Sequence, residues 1–309
     1  MIANKTKINL EMSVGVSWED EFKAHLVQRG CGPKTVAAYS QDVRRFAAWF
    51  EKENGQAFAP ELVTAVDLRG YRAWAVEGRN LKPSSWNRRR QALLTFCTWL
   101  RKNGILTYDP FQGVERYEEE ELPPHWLERS EAAKFLRQVE LEVNGAKTEH
   151  WTRQALRDQA IIALMVFAGM REGEVVDLNL GDIELGERSG RAVIWLGKGG
   201  KKREIPLGRE ARNALRAWIK ERGDAAGALF DGKNSMRIST RLIQRRVAEI
   251  GRKAGVEVTP HMLRHTFAKR LVDGNKPLTV VAKLLGHKRL DTTARYVKPG
   301  WHDLELAVE

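Results

Sequence analysis

Residues 109–124 divide the chain. Asp109 and Pro110, the acidic run Glu118–Glu121, and then Pro123 and Pro124 interrupt a sequence that carries helical periodicity on both sides. Proline removes a backbone donor and clashes with the preceding turn, and clustered like charges favour solvent, so no helix continues through this stretch. A 309-residue chain broken there is expected to form two domains, each long enough to bury its own core. The expected boundaries are a flexible N-terminus at 1–15, a helical domain at 16–115, a linker at 116–125 and a second domain at 126–309.

Apolar residues recur at spacings of three and four in the first domain. Phe22, His25 and Leu26 mark one face; Tyr39, Val43, Phe46, Ala47 and Phe50 mark another; Leu93, Leu94, Cys97 and Leu100 mark a third, after a start signal at Ser84 and Ser85. A small helical bundle is expected. In the second domain, Ser130 is an expected N-cap, and Ala160–Met170 reads as a buried helix ended by Gly169. Ala192–Leu196 and Arg203–Leu207 read as two strands joined by the glycine-rich turn Gly197–Gly200. Thr259 followed by Pro260 opens a further helix. The fold class expected is mainly α, with a small antiparallel β-sheet in the C-terminal domain.

Charge narrows the partner. The formal net charge is +12, and most of the excess lies beyond residue 125, where 34 Lys+Arg face 24 Asp+Glu. A polyanion is the expected partner, with nucleic acid first. The longest apolar stretch, Ala160–Met170, is about half the ~20 residues a membrane crossing needs, and MIANKTKINL lacks a secretory apolar core, so a cytoplasmic location without membrane contact is expected. Cys31 and Cys97 are too few and too far apart in sequence to suggest a disulfide framework or a cysteine zinc site, and read as small hydrophobes.

Short segments of the C-terminal domain carry the chemistry. Arg171 follows a helix-ending glycine, Lys198 sits in the glycine-rich turn, His261 and Arg264 are three apart on one helix, His287 follows Gly286, and Tyr296 is the only tyrosine after residue 125. A phosphodiester is an anion, and displacement at phosphorus builds further charge on its non-bridging oxygens. Two permanently charged, planar guanidiniums suit that task, so Arg171 and Arg264 are expected to clamp the phosphate. A phenol with a reference pKa near ~10 needs help to lose its proton, and His261 is the candidate base for Tyr296. Lys198 is the candidate acid for the leaving 5′ oxygen, and His287 a hydrogen-bond donor to the phosphate. His265, adjacent to Arg264 and turned about 100° away, reads as packing or support. Any one of these residues alone is usually a solvated surface residue; the joint pattern reverses that reading.

In this order and spacing the segments resemble the signature of the tyrosine recombinase (phage integrase) family, in its Xer-like or simple integrase and transposon branch. The match spans nearly the whole C-terminal domain. Lys34, Thr35, Tyr39, Arg44, Phe46 and Trp49 similarly resemble the family's N-terminal core-binding domain of SAM-like helical fold. Lys288 departs from the pattern, where a small polar residue is more usual.

The resemblance implies a site-specific recombinase that cuts and rejoins DNA through a 3′-phosphotyrosine and a Holliday junction, with no cofactor, metal or ATP. It implies double-stranded DNA with inverted half-sites as partner, a homotetramer on DNA from a free monomer, and a possible second recombinase or directionality factor. Lys34, Thr35, Tyr39, the triplet Arg88, Arg89 and Arg90, and Lys201 are the expected DNA contacts, with Lys202 and Arg203 beside the hairpin expected at backbone phosphates. Glu174 is expected either to orient Arg171 or to act directly. Trp301, Leu304 and Val308 form an apolar stripe in the tail, which would fold back or pass to a neighbouring subunit. An inactive DNA-binding protein of the same fold and a type IB topoisomerase-like enzyme are the alternatives.

Overall fold

The computed structural model describes residues 17–118, 124–195, 202–232, 236–287, 289–294 and 296. It is mainly helical and forms two compact units, Met1–Glu121 and Leu122–Glu309. Among the described residues no helix is long and apolar enough to cross a membrane.

The first unit packs α1 (Trp18–Gln28), α2 (Pro33–Asn54), α3 (Ala65–Ala73) and α4 (Pro83–Lys102). Its core is aromatic: Phe22, Phe46, Phe50, Tyr71, Trp86 and Phe96 are fully buried, with Phe22 and Phe96 in edge contact at 5.0 Å. Pro83 takes the first position of α4, where its missing N–H costs nothing, and Lys82 precedes it; Ser84 and Ser85 therefore lie inside the first turn instead of capping it. Cys97 is buried, and burial pushes its thiol up to about 12, so it behaves as a hydrophobe. Cys31 is half-buried against the same core.

The arginine triplet, expected at DNA, also has partners within the fold. Asp42 on α2 is completely buried and collects Arg88, paired through both Nη atoms, Arg45 at 3.3 Å and Arg89 at 3.8 Å. Arg89 also donates to the Tyr71 hydroxyl, and Arg90 donates to the Val114 carbonyl at 2.8 Å. A buried carboxylate requires such partners, so the triplet ties α4 to α2 as well as presenting charge. Lys34 and Thr35 are exposed at the start of α2, and Tyr39 lies half-buried on the aromatic core.

The second unit runs α5 (Arg129–Asn144), α6 (Glu149–Ala168), α7 (Glu172–Asp177), β1 (Ile183–Leu185), β2 (Gly190–Trp195), β3 (Lys202–Pro206), α8 (Arg209–Arg222), α9 (Thr240–Ala254), α10 (Pro260–Asp273), α11 (Leu278–Leu285) and α12 (Asp291–Ala294). The strands form one antiparallel sheet in the order β1-β2-β3, with Trp195 opposite Lys202. The short β1, with three residues, carries too little alternation to stand out in the sequence. Glu128, not Ser130, caps α5, in a reciprocal box with Glu131. Thr259 caps α10 as expected, accepting from the Met262 amide, with Pro260 in the first turn.

The central helix is α6, against which α5, α8, α9 and α10 pack. Its one buried carboxylate, Asp158, is held by Arg157 at 2.8 Å and by Arg246 of α9 at 2.6 Å, which fixes the two helices together. The C-terminal end of α6 is where the site begins.

Candidate functional site

Helix α6 ends at Gly169 with φ +65°, a left-handed conformation that favours glycine. A side chain there is doubly excluded, since a Cβ would fall 2.3 Å from the Phe267 ring. The tight turn frees the Gly169 carbonyl to accept from Arg264 and places Arg171 at the start of α7. Glu174, one turn on, accepts from the Arg171 amide at 2.8 Å and from its guanidinium at 2.9 Å. The carboxylate thus orients Arg171, and it also binds Arg203 of β3 at 2.9 Å and lies 3.9 Å from Arg264. Arg203 therefore points inward, toward Glu174 and the Leu285 carbonyl.

Arg264 is 2% exposed and spans two elements, donating to Gly169 and, at 2.6 Å, to the Leu285 carbonyl at the end of α11. Burial, then the charges of Arg171 and Arg203, lower its pKa to about 10, which still leaves it a cation at neutral pH. Its Nη2 stands 3.3 Å from His287 Nε2. A guanidinium only donates, so Nε2 accepts and the ring proton lies on Nδ1, 2.8 Å from the Thr293 hydroxyl. Burial, followed by Arg264 and Arg171, lowers the His287 pKa to about 4. Neutral His287 thus has Nε2 as an acceptor here, and donation to phosphate requires a second proton.

This has a pH consequence. Between the ordinary histidine value of 6.5 and about 4, the unfolded chain binds a proton at His287 that the folded chain refuses, so this group's contribution to stability is lost as pH falls through that window. In the free protein the His287 ring is expected to remain neutral at about pH 6, read by NMR of its ring nitrogens; a midpoint at or above that pH contradicts the assignment.

Tyr296 is 4% exposed, packed with Phe267, Val281 and Leu285. Its hydroxyl contacts Nδ1 of His265, and His265 lies edge-on to His261 with ring centroids 4.2 Å apart. The sequence reading missed His265. Adjacent side chains on α10 do diverge, but the cleft wraps round the helix: Arg264 reaches inward to Gly169 while His265, one position on, meets Tyr296. The available signal was the four-residue spacing of His261 and His265, which stacks them on one face.

Arg171, His261, Arg264, His265, His287 and Tyr296 line one cleft of about 950 Å³ in the second unit. Lys34, Thr35, Tyr39 and Arg88–Arg90 belong to the first unit. Lys198, Lys201, Lys288 and the tail stripe lie outside the described residues.

Residues 127–300 match the phage integrase family, and residues 20–104 match its N-terminal SAM-like domain. The chain belongs to the phage integrase family. It is 32% identical over 294 residues to a tyrosine recombinase XerC of Chromohalobacter salexigens, covering 92% of each chain. It is also 32% identical to the XerC of Neisseria meningitidis serogroup B, covering 90% of this chain and 89% of the relative. The enzyme class is accordingly that of the tyrosine site-specific recombinases. Its fold is shared with the XerH recombinase solved on palindromic difH substrate (TM-score 0.73, 23% identity, covering 94% of this chain and 84% of that one). The Tn1549 transposon integrase with circular intermediate DNA has a TM-score of 0.69 at 17% identity, covering 95% of this chain and 99% of that one. Arg171, His261, Arg264, His265, His287 and Tyr296 all fall within the matched 127–300 segment.

Proposed function

We propose that this chain cuts and rejoins double-stranded DNA at paired sites through a 3′-phosphotyrosine on Tyr296. The observation that supports it most is the convergence, in one cleft, of the guanidiniums of Arg171 and Arg264, the imidazoles of His261, His265 and His287, and the Tyr296 phenol. The Tyr296 oxygen attacks phosphorus, the bond to the 5′ oxygen breaks, and the 3′ phosphate stays on the tyrosine. Arg171, held by Glu174, and Arg264 offset the charge that builds on the non-bridging oxygens. The phenolic proton passes to the imidazole pair: His265 contacts the hydroxyl, and His261, more exposed and one turn away, is the base the sequence suggested. Lys198 protonates the departing 5′ oxygen. The arriving phosphate is itself an anion that raises the His287 pKa, so His287 becomes a donor to it as the complex forms.

Because the phosphotyrosine retains the phosphodiester's bond energy, a different 5′ hydroxyl can reverse the step, and neither ATP nor metal is needed. Two such exchanges pass through a Holliday junction. The partners proposed are inverted half-sites filled by free monomers that assemble as a homotetramer, with the stripe of Trp301, Leu304 and Val308 passed between neighbours. Lys34, Thr35, Tyr39, Arg88, Arg89, Arg90 and Lys201 are proposed to contact DNA.

A plasmid carrying two cognate sites separates this from the alternatives. Recombined product is expected, and His265→Ala is expected to lose at least as much activity as His261→Ala. Relaxation without recombination would favour a topoisomerase, and binding without either an inactive DNA-binding protein. A His265→Ala variant at the wild-type rate returns proton acceptance to His261 alone.

A further inference from the structure

We propose that Arg203 is a positioning residue for strand cleavage: a strut that locks strand β3 to the loop carrying His287 and to Glu174, the carboxylate that orients Arg171. This rests on the phosphotyrosine reading above.

Arg203 is the second residue of β3, paired with Ile194 of β2. Its side chain is 12% exposed, and it is not among the described residues that line the cleft. One arm of its guanidinium donates to Glu174 at 2.9 Å, and the other to the Leu285 carbonyl at 3.2 Å. Both acceptors are shared with phosphate-clamping groups, since Glu174 holds Arg171 and the Leu285 carbonyl holds Arg264. Arg203 therefore reaches the reacting atoms only through them.

Gly286 records how closely the strut approaches. It ends α11 with φ +64°, and a Cβ there would lie 1.8 Å from Arg203 Nη1 and 2.7 Å from its Cζ. The guanidinium lies across the Gly286 backbone, and the next residue is His287. The strut thus connects three things whose relative placement the reaction demands: the hairpin strand that follows Lys198 in sequence, the Arg171–Glu174 pair, and His287.

Stability alone does not account for this arginine. Burial lowers its pKa, and its Nε is buried without a hydrogen-bond partner. A buried cation of this sort costs desolvation that an apolar side chain of similar length avoids. Removing it leaves Glu174 still paired with Arg171, so no isolated charge results. Lysine is no substitute, because one ammonium cannot span two acceptors in a fixed fork.

The experiment compares wild type, Arg203→Met and Arg203→Lys in single-turnover cleavage of a nicked suicide substrate, with DNA affinity and melting temperature measured on the same samples. Arg203→Met is expected to melt no lower than wild type and to bind DNA equally, yet to cleave up to about 100-fold more slowly, the scale of an ångström's misplacement. Arg203→Lys is expected to cleave slowly too. The NMR midpoint of His287 should rise in Arg203→Met, because a nearby positive charge has been removed; an unmoved midpoint would contradict the placement of Arg203 beside His287. Wild-type rates in either variant overturn the strut, as does a rate loss matched by an equal loss of affinity. Should Arg203→Met fail to fold, the role is structural and the proposal falls unless Arg203→Lys folds, binds and cleaves slowly. If wild type itself forms no covalent complex, the phosphotyrosine reading has failed instead.

Discussion

Replacing Arg264 by lysine is expected to slow strand cleavage by about 100- to 1,000-fold, the loss typical of removing one preorganised donor to a developing anion. Arg264 is almost fully buried, and it bridges the Gly169 and Leu285 carbonyls while lying next to His287. Those bonds hold the guanidinium before substrate arrives, so no reorganisation is required when charge develops on the non-bridging oxygens. A lysine keeps a charge only in part, since an ammonium buried among Arg171 and Arg203 is pushed toward neutrality more readily than a delocalised guanidinium. It also cannot bridge both carbonyls. Affinity for DNA should change far less than rate, because phosphate contacts spread over an interface supply most of a protein's grip on DNA. Single-turnover cleavage at saturating DNA measures the effect; a rate within a few-fold of wild type would remove Arg264 from the phosphate clamp.

The sequence disclosed the mainly helical fold because amphipathic spacing and helix punctuation are local. Thr259-Pro260 and Gly169 each mark a helix end by backbone chemistry that needs no tertiary context. The three-residue β1 was invisible, being too short to show a period. Cap positions at α4 and α5 shifted by a residue or two, because proline at the first turn and a glutamate box compete with nearby serines.

The site was legible as a set of residue types, and less so as a set of partners. The grouping of Arg171, His261, Arg264, His287 and Tyr296 in one cleft follows the order of their motifs. The role of Arg203 was not legible, because a basic residue beside a glycine-rich turn looks solvated until the close approach of Gly286 is known. Likewise Arg88, Arg89 and Arg90 look like an open basic face until Asp42, 46 residues away from Arg88, is found buried beneath them. His265 was set aside by its angle from Arg264, an argument about one helix that says nothing of a cleft curving round it. Long-range pairing of charges is what a single sequence conceals.

Everything proposed for the cleft depends on a covalent bond between Tyr296 and DNA. Wild-type protein incubated with a nicked suicide substrate, whose cleaved 5′ fragment diffuses away, should yield a complex that survives boiling in detergent. Tyr296→Phe keeps the packing against Phe267, Val281 and Leu285 and removes only the hydroxyl that meets His265. It should bind the same DNA and yield no covalent complex. A detergent-resistant complex in Tyr296→Phe, or none in wild type on cognate DNA, would contradict the account.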